Sequence, residues 1–592
     1  MLKESREKSI LRIRACALAV LGLLPLTACI ASAPGNGSGS QQQPIQVTVT
    51  SATKLPASIP VSTSTTPSTV QFGATLTGTT NTAVTWSLSL SSSSNSSASG
   101  DGLGAIDSNG NFTAPQTINS CPANVTPCEL QVVVTATSQA NTSDSGQALI
   151  NVHVIVAISP TSATLGQGAN LQFTAAVIGT PSGASYQGVN WGAACTTCAS
   201  GQGGGAFDPN NAGLFIAPPF EQGVNTPQII SASATSAFDP TQYASATVTV
   251  DPTDPLGTAS PSTTSGAEIS CPSGGLSGGT CYQIDVSCPN IADWTVYLKV
   301  NTPAGTPIGT VLFSTGSGGG TLYDNSPDFF YNTTVNGGAA VVQGILSAGY
   351  TTVQLSFGSA FNSSSSVTNG WLQGPGGVRR LACRYATAAQ WVYTNIHNSS
   401  KTAAFCATGN SGGSGAIGYS LSEYGQNSIF NMAEPTSGPV MTQINAGCNP
   451  SGSLNYDGTT ACTGAPTDMS YSLADAAIID TAYQAAGQTT PTLCTDGVNG
   501  SNTNNLRFES DSIDYSPSKS PALPISGTVL NAVFGGQDTT NAVPQGEWWW
   551  ASVAPKPTQA CVSDAPHAIP AAPSGDGVTQ IVNDIMTLCK VP

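Results

Sequence analysis

Charge is scarce in this chain. Only 8% of its 592 residues are charged, and 31 acidic residues outnumber 15 lysines and arginines, which gives a formal net charge of −16 at pH 7. A surface of this sign repels the phosphates of nucleic acids. The composition therefore argues against nucleic acids and other anionic polymers as partners.

Long apolar runs are also scarce. Beyond the N-terminal segment, no stretch of the sequence is apolar enough to cross a membrane. Residues 15–25 are apolar but too few for a permanent membrane helix, and they follow the basic residues Lys3, Arg6, Lys8, Arg12 and Arg14. This pattern is typical of an export signal that is later removed.

The stretch that follows, Leu26-Thr27-Ala28-Cys29, places small residues before a cysteine. It resembles the signal of bacterial lipoproteins, which implies a signal peptide over 1–28, a lipid on Cys29 and a flexible tether over 29–43. The protein would then sit in the bacterial cell envelope and touch the membrane only through its lipid. We expect the outer membrane or cell surface, because Ile30 and not Asp follows the cysteine, although the inner membrane stays open. An ordinary secretory signal is the alternative.

Fourteen cysteines remain after Cys16 and Cys29 are set aside, an even number that suits disulfides in an oxidising compartment. The sequence cannot fix their connectivity. The local candidate pairs are Cys121–Cys128, Cys195–Cys198, Cys271 with Cys281 or Cys288, Cys448–Cys462 and Cys561–Cys589. Cys195 and Cys198 have the spacing of metal ligands, but no second Cys or His pair lies near them, so we predict a disulfide and no metal site.

One glycine-rich stretch points to chemistry: Gly409-Asn410-Ser411-Gly412-Gly413. A strand-like segment over 402–408 precedes it and a helix-compatible segment over 414–424 follows it. Strand, tight turn and helix form the setting in which a G-x-S-x-G sequence presents a nucleophilic serine. Chance also produces such strings in a chain with 64 glycines, so Ser411 has an ordinary turn serine as its alternative interpretation.

Histidine is rare enough to restrict the partners of Ser411. Of the three histidines, only His567 follows Ser411 along the chain. Between them, a buried-strand pattern from residue 525 ends in a glycine turn and Asp538. We predict Ser411 as nucleophile, His567 as its base and Asp538 as the acid that orients the imidazole. Glu434 ranks second as the acid, and Asp564 lies too close to the histidine for the usual topology.

On this order of Ser411, Asp538 and His567, residues 271–592 resemble the α/β-hydrolase superfamily, with its esterase- and lipase-like serine hydrolases. The resemblance implies a mostly parallel sheet with helices on both faces and a reaction through an acyl-enzyme, with no metal and no cofactor. All the predicted catalytic residues fall in this segment, so we expect it to act by itself.

A second glycine-rich loop follows the strand predicted over 309–314. It resembles the oxyanion loop of the same superfamily, which implies backbone N–H donors from Gly316, Ser317 and Gly318, with a further donor from Gly412. Residues 440–520 are interpreted as an insertion that caps the site, and caps of this kind commonly select substrates. Trp548, Trp549 and Trp550 are assigned to packing against the sheet in preference to an aromatic pocket.

The region before residue 252 contains an internal repeat. Residues 104–115 match 205–218, and Trp86 matches Trp191, 105 positions later. Alternating strands, turn glycines and a central tryptophan resemble bacterial immunoglobulin-like domains of the group 2 type. We therefore predict a multidomain fold with two all-β immunoglobulin-like sandwiches over 44–154 and 155–251, a Pro-, Ser- and Thr-rich linker over 252–270, and the α/β-hydrolase domain over 271–592.

Two function classes fit this organisation. The first is an exported, lipid-anchored serine hydrolase that acts on a carboxylic ester, small or polymeric; amide or peptide cleavage stays open. The second is a surface adhesion or carbohydrate-binding protein with an inactive hydrolase-like domain. The complete set of Ser411, Asp538 and His567 favours the first, since binding alone places no demand on these three residues. The sequence does not indicate the oligomeric state.

Overall fold

The computed structural model describes residues 43–591, except 120, 123–124, 184–186, 199–203, 219–226, 252, 262–267, 332–333, 359–360, 362–369, 450–455, 457–461, 463, 486–487, 501–504 and 515–522. The predicted signal peptide, Cys29 and nearly all of the tether lie outside the described residues. Within the described part of the chain, no helix has both the length and the apolar character to span a membrane.

The first all-β unit consists of two four-stranded sheets, in the orders β1-β3-β6-β5 and β2-β8-β7-β4. Residues of both sheets share one apolar core, because alternate side chains of each strand point to the same face. The strands are β1 (Gln46–Ser51), β2 (Ala57–Pro60), β3 (Thr69–Thr77), β4 (Val84–Leu90), β5 (Ala105–Ile106), β6 (Asn111–Thr113), β7 (Leu130–Ser138) and β8 (Ser145–His153).

The second all-β unit repeats this pattern around its own core, in which Trp191 stacks on Phe207. Its largest sheet has the order β10-β17-β16-β13. The strands are β9 (Ile155–Ser159), β10 (Ser162–Gly166), β11 (Asn170–Gln172), β12 (Thr174–Ile178), β13 (Val189–Cys195), β14 (Ala206–Phe207), β15 (Leu214–Ile216), β16 (Gln228–Ser236) and β17 (Tyr243–Asp251). The immunoglobulin-like class of both units, and the domain boundaries, stay predictions.

The C-terminal unit is built on one large sheet of order β18-β20-β21-β23-β22-β24-β25-β27-β29, with β19 beside β20. The strands from β23 to β29 in this order run parallel, and those at the β18 edge are antiparallel. The strands are β18 (Thr258–Pro261), β19 (Glu268–Ile269), β20 (Thr280–Ser287), β21 (Trp294–Asn301), β22 (Gly309–Ser314), β23 (Tyr350–Phe357), β24 (Ala404–Asn410), β25 (Met432–Thr436), β26 (Leu523–Pro524), β27 (Val529–Gly535), β28 (Val553–Ala554) and β29 (Thr558–Val562); β26 and β28 pair separately.

Helices cover both faces of this sheet, as the mostly parallel arrangement requires. On β22, Leu312 faces the core that holds Ala386 and Ile417, whereas Val311 and Phe313 face the opposite core. The helices are α1 (Gly337–Ser347), α2 (Val378–Leu381), α3 (Cys383–Asn395), α4 (Gly412–Ser422), α5 (Ile444–Cys448), α6 (Leu473–Thr481), α7 (Leu493–Val498), α8 (Asn505–Asp511), α9 (Ala542–Ser552) and α10 (Asp576–Leu588).

Two described parts of the segment predicted as a flexible linker form strands of the C-terminal sheet, β18 and β19. Within it, β18 pairs in antiparallel register with β20, from Thr258 opposite Ser287 to Pro261 opposite Ile284. Asp254 is buried at the start of the segment. A Pro- and Ser-rich composition is compatible with these strands, because an edge strand accepts proline where its N–H is not needed by a neighbour.

Seven disulfides join the cysteines of the described residues. The expected pairs Cys121–Cys128, Cys195–Cys198 and Cys271–Cys281 are confirmed. The expected pairs Cys448–Cys462 and Cys561–Cys589 are wrong: the observed bonds are Cys448–Cys494, Cys462–Cys561, Cys406–Cys589 and Cys288–Cys383. The folded sheet brings together cysteines as far as 183 positions apart, and closeness along the sequence carries no information on such pairs.

Candidate active site

Ser411 occupies the sharp turn between β24 and α4. Its backbone angles are φ 55° and ψ −118°. This conformation is unfavourable for any residue other than glycine, so the surrounding structure must hold it in place. The Ser411 N–H donates to the Thr436 carbonyl at 3.0 Å, and its carbonyl accepts from the Gly415 N–H at 3.0 Å. The backbone thus lifts the side chain away from both the strand and the helix.

The glycines after Ser411 are required by close packing. A Cβ on Gly412 would lie 1.7 Å from the Ser317 carbonyl oxygen, and one on Gly413 would lie 2.7 Å from both Ser314 Oγ and the Thr315 carbonyl oxygen. No larger residue fits at either position without moving backbone. The small residues of the G-x-S-x-G stretch therefore let α4 start directly against the loop that follows β22.

His567 and Asp538 form a hydrogen-bonded pair. His567 Nδ1 lies 2.9 Å from Asp538 Oδ2. The other carboxylate oxygen, Asp538 Oδ1, accepts from the Thr540 N–H at 2.9 Å and the Thr540 hydroxyl at 2.8 Å. Burial by itself would raise the pKa of Asp538, but the hydrogen bond and charge of His567 and the Thr540 donors outweigh it and hold that pKa below its ordinary value.

The topology explains why these side chains meet. β24, β27 and β29 are parallel strands of one sheet, so the turns at their carboxyl ends lie along the same edge. Asp538 comes three residues after β27, and His567 comes five residues after β29. Sequence order and strand ends were the signals that located both residues.

Asn410, the last residue of β24, is a contributor that the sequence analysis missed. Its Nδ2 donates to the His567 carbonyl at 3.3 Å, and its Oδ1 accepts from the Thr436 hydroxyl at 3.0 Å and from the Ile569 N–H at 3.3 Å. The residue before the serine therefore holds the loop that carries the histidine. Its only sequence signal was its place inside the glycine-rich stretch.

Ser411 and His567 line one cavity of about 290 Å³. Gly412, Gly316 and Ser317 line the same cavity, next to the serine. Among the hydrogen bonds of the described residues, none joins the Ser411 hydroxyl to the His567 imidazole. In ligand-free sites such bonds commonly form only when substrate is bound.

The loop after β22 approaches Ser411 closely. A Cβ on Gly316 would lie 3.4 Å from Ser411 Cβ, and Ser317 has a positive φ of 52°. The Gly319 N–H donates to the Gly316 carbonyl at 3.0 Å, which closes a tight turn. Gly318 is not part of the cavity lining; its carbonyl accepts from the Trp371 N–H at 2.8 Å.

The rival residues lie elsewhere. Glu434 is buried within β25, where its Oε2 accepts from Asn531 Nδ2 at 3.0 Å, and Asp564 Oδ2 accepts from the Ser574 N–H. His153 contacts Ser58 in the first unit, and His397 contacts Thr310. In the described structure, only Asp538 among the three candidate acids hydrogen-bonds His567.

The rest of the cavity wall is mostly apolar, with two carboxylates. The predicted cap region supplies part of it, chiefly through α6. The apolar wall residues are Phe329, Val440, Met441, Tyr471, Ile478, Ile479 and Ala542, and the carboxylates belong to Asp328 and Asp475. Trp548, Trp549 and Trp550 lie on α9 and are buried outside this wall. Trp549 and Trp550 share apolar clusters with residues of β27, as predicted, whereas Trp548 packs with Tyr456 and Met469 of the predicted cap region.

The matches of this chain to known proteins are to solved structures. No family model and no curated protein matches this chain. Among solved structures, it is similar to the esterase domain of a Rhodothermus marinus protein (8% identity, TM-score 0.29), with 52% of this chain and 96% of that chain covered. It is also similar to a thermostable carboxyl esterase from Bacillus coagulans (13% identity, TM-score 0.30), with 52% of this chain and 99% of that chain covered. A third similar structure is Est1E from Butyrivibrio proteoclasticus (12% identity, TM-score 0.29), with 52% of this chain and 98% of that chain covered.

Proposed function

We propose that this protein is a serine hydrolase of the α/β-hydrolase type that cleaves carboxylic esters through an acyl-enzyme on Ser411. The observation that carries the proposal is the geometry of one cavity. Ser411, in a strained strand-to-helix turn, lines that cavity together with His567, and His567 Nδ1 lies 2.9 Å from Oδ2 of the buried Asp538. This combination serves nucleophilic catalysis and has no evident structural purpose.

The chemistry follows from the residue types. Ser411 Oγ attacks the ester carbonyl carbon while His567 Nε2 takes its proton. The same proton then passes to the alcohol oxygen as the C–O bond breaks, which leaves the acyl group on the serine. Water then attacks the acyl carbonyl carbon while His567 takes its proton, and the carboxylic acid leaves as the proton returns to Ser411 Oγ. Asp538 keeps Nδ1 of His567 protonated, so that Nε2 is the basic nitrogen, and stabilises the imidazolium.

The tetrahedral intermediate carries an oxyanion that needs preorganised donors. Gly412 begins α4, so its N–H is free of intrahelical bonding and points out at the positive end of the helix dipole. The loop with Gly316 and Ser317 packs directly against Gly412 and lies close to Ser411. Backbone N–H groups from Gly412 and from this loop form the oxyanion hole of the proposed mechanism.

The wall indicates the substrate. Its apolar side chains suit an acyl chain, and its size suits one of short to medium length. Asp328 and Asp475, in a protein with a formal net charge of −16, disfavour anionic esters. We therefore propose an uncharged ester as substrate, with amide cleavage as an open second reaction.

The cellular setting is part of the proposal. A lipid on Cys29 would hold the chain to the bacterial outer membrane or cell surface, and the two β units, proposed as immunoglobulin-like, would carry the catalytic unit away from it. The seven disulfides support an oxidising compartment. Replacing Cys29 with Ser should move the protein from the membrane fraction to the soluble exported fraction.

The nucleophile is tested by Ser411→Ala. This variant should lose esterase activity by at least about three orders of magnitude and should lose covalent labelling by a fluorophosphonate probe, while its circular dichroism stays unchanged. Ser428→Ala, exposed in the turn after α4, is the control and should still be labelled. If the wild-type protein is not labelled and hydrolyses no ester, the adhesion or carbohydrate-binding alternative replaces this proposal.

A further inference from the structure

The second β unit is fastened to the C-terminal unit by a buried amide. Asn170, the first residue of β11, is 4% exposed. Its Nδ2 donates to Ser510 Oγ and to Asp511 Oδ1, both at 2.8 Å, at the end of α8. A buried amide and a buried carboxylate must keep such partners, since losing one costs the full desolvation penalty of the other.

Two arginines fix the same contact from the side of the C-terminal unit. The Arg379 side chain is 2% exposed. Its Nε lies 2.7 Å from Asp254 Oδ2, and its Nη2 lies 2.6 Å from Glu423 Oε2. Its guanidinium also donates to the Gln167 carbonyl, and that of Arg380 donates to the Asn170 carbonyl. These bonds hold the backbone at Gln167 and at Asn170 itself, next to the side chain that donates to Asp511.

Asp511 passes this contact on to the catalytic cavity. Its Oδ2 accepts from the Tyr483 hydroxyl at 2.6 Å, and its carbonyl accepts from the Tyr419 hydroxyl at 2.5 Å. Tyr483 lies two residues beyond the end of α6, the helix whose Ile478 and Ile479 line the cavity. Tyr419 belongs to α4, the helix that begins after Ser411.

The residues after Asp511 hold a second part of the wall. The Ile513 N–H donates to the Met441 carbonyl at 3.2 Å, and the Asp514 N–H donates to the Thr442 carbonyl at 3.0 Å. Met441 lines the cavity. Asp511 thus lies where the second β unit meets two parts of the cavity wall. We call them the α6 wall, formed by Ile478 and Ile479, and the Met441 wall.

We propose that Asn170 is a positioning residue for the cavity: by fixing Asp511, it holds the α6 and Met441 walls and makes the second β unit a determinant of acyl-chain selectivity. This inference rests on the proposed ester hydrolysis. It goes further in that a residue outside the catalytic unit sets which esters bind well. The β unit would then be part of the enzyme and not only a spacer.

The test compares Asn170→Ala with the wild-type full-length chain on p-nitrophenyl acetate and p-nitrophenyl octanoate. An acetyl group reaches only Ser411 and the oxyanion donors, whereas an octanoyl chain must lie against the α6 and Met441 walls. KM for the octanoate should rise about five-fold, which corresponds to one hydrogen bond, while kcat for both esters and KM for the acetate change less than about two-fold.

A second variant tests the other end of the same connection. Tyr483→Phe removes the hydroxyl from Asp511 Oδ2 and keeps the ring, so it should produce the same rise in KM for the octanoate. The double variant should raise that KM little beyond either single variant, because both changes act through Asp511. Multiplying effects in the double variant would overturn the inference.

Asn190→Ala is the control, since Asn190 is exposed on β13 of the same unit, and it should behave as wild type. Fluorophosphonate labelling separates the two levels of the argument. If the wild type is not labelled, the proposed function fails. If Asn170→Ala is labelled at the wild-type rate and its KM for the octanoate is unchanged, the positioning role fails alone. Should Asn170→Ala not fold, an unchanged KM in Tyr483→Phe overturns it.

Discussion

Single residues set the charge distribution of the cavity, and Asp538 is held ionised by its surroundings. Two donors from Thr540 and one from His567 surround its carboxylate. Its lowered pKa means that it stays charged well into the acidic range. The imidazole therefore always faces a full negative charge on its Nδ1 side at neutral pH.

Asp538→Asn tests this arrangement. The amide offers either a donor or a neutral acceptor to Nδ1 and no charge to stabilise the imidazolium, so kcat should fall by about three orders of magnitude. Thr540→Val keeps the charge and removes a hydroxyl that donates to Asp538 Oδ1 at 2.8 Å and lies 3.2 Å from His567 Nδ1, so kcat should fall by about ten-fold or less. Ester hydrolysis by the two purified variants measures both values. Equal losses would assign the main role to Thr540 and contradict the mechanism.

Asp475 provides a test of substrate charge. It lies in the cavity wall and accepts from Asn541 Nδ2 at 3.2 Å. Asp475→Asn should raise kcat/KM for an ester with a carboxylate on its acyl chain about three-fold at low salt, and leave a neutral ester of equal length unchanged. Asp496→Asn, on the exposed side of α7, is the control. A gain that persists in high salt would contradict the electrostatic cause.

At the scale of secondary-structure elements, the central strands carry a buried polar cluster behind the site. Glu434 on β25 shares Asn531 of β27 with Asp584 of α10, with N–O distances of 3.0 and 2.8 Å. Burial, and next the nearby Asp584 carboxylate, raise the pKa of Glu434 well above its ordinary value. The folded protein therefore keeps a proton there that the unfolded chain gives up above about pH 4.5.

This proton makes stability fall as pH rises. The contribution of protonated Glu434 is complete below the pKa of the unfolded chain and is lost as pH climbs towards the raised pKa of the folded state. Glu434→Gln cannot titrate, so its thermal midpoint should fall less than that of wild type between about pH 5 and pH 8. Glu268→Gln, exposed at the sheet edge, should keep the wild-type slope. If the thermal midpoint changes with pH by the same amount in wild type, Glu434→Gln and Glu268→Gln, Glu434 is not protonated in the folded protein.

Elements were predictable where one local pattern decides them. The strand over 309–314 has the predicted bounds, and β24 and α4 flank Ser411 as the G-x-S-x-G setting indicated. Asp538 and His567 could be located because they follow strand ends in the required order. Asn410 and Asn170 could not, because their partners, the His567 loop and Asp511, are 157 and 341 positions away. An asparagine shows no sign of such a partner in its own neighbourhood.

At the scale of the whole molecule, the structure changes the expectation that 271–592 acts by itself. That fragment lacks β18, which pairs with β20, and lacks Asp254, a counter-charge of Arg379. It should therefore unfold at a lower temperature than 155–592 and hydrolyse esters more slowly. A fragment over 252–592 restores β18 and Asp254 but not Asn170, and its thermal midpoint should lie between the two. Equal midpoints for all three would show that these contacts add no stability.

The bond between Cys406 and Cys589 sets an order of events during synthesis. Cys406 lies on β24, five residues before Ser411, and its partner appears 183 residues later in the chain. Because the ribosome makes Cys406 first, the disulfide from β24 can form only after most of the C-terminal unit has been synthesised. A chain broken off between Ser411 and Cys589 keeps its nucleophile but never forms this disulfide. Synthesis as far as Cys589 is thus a condition for the covalent link to the catalytic strand.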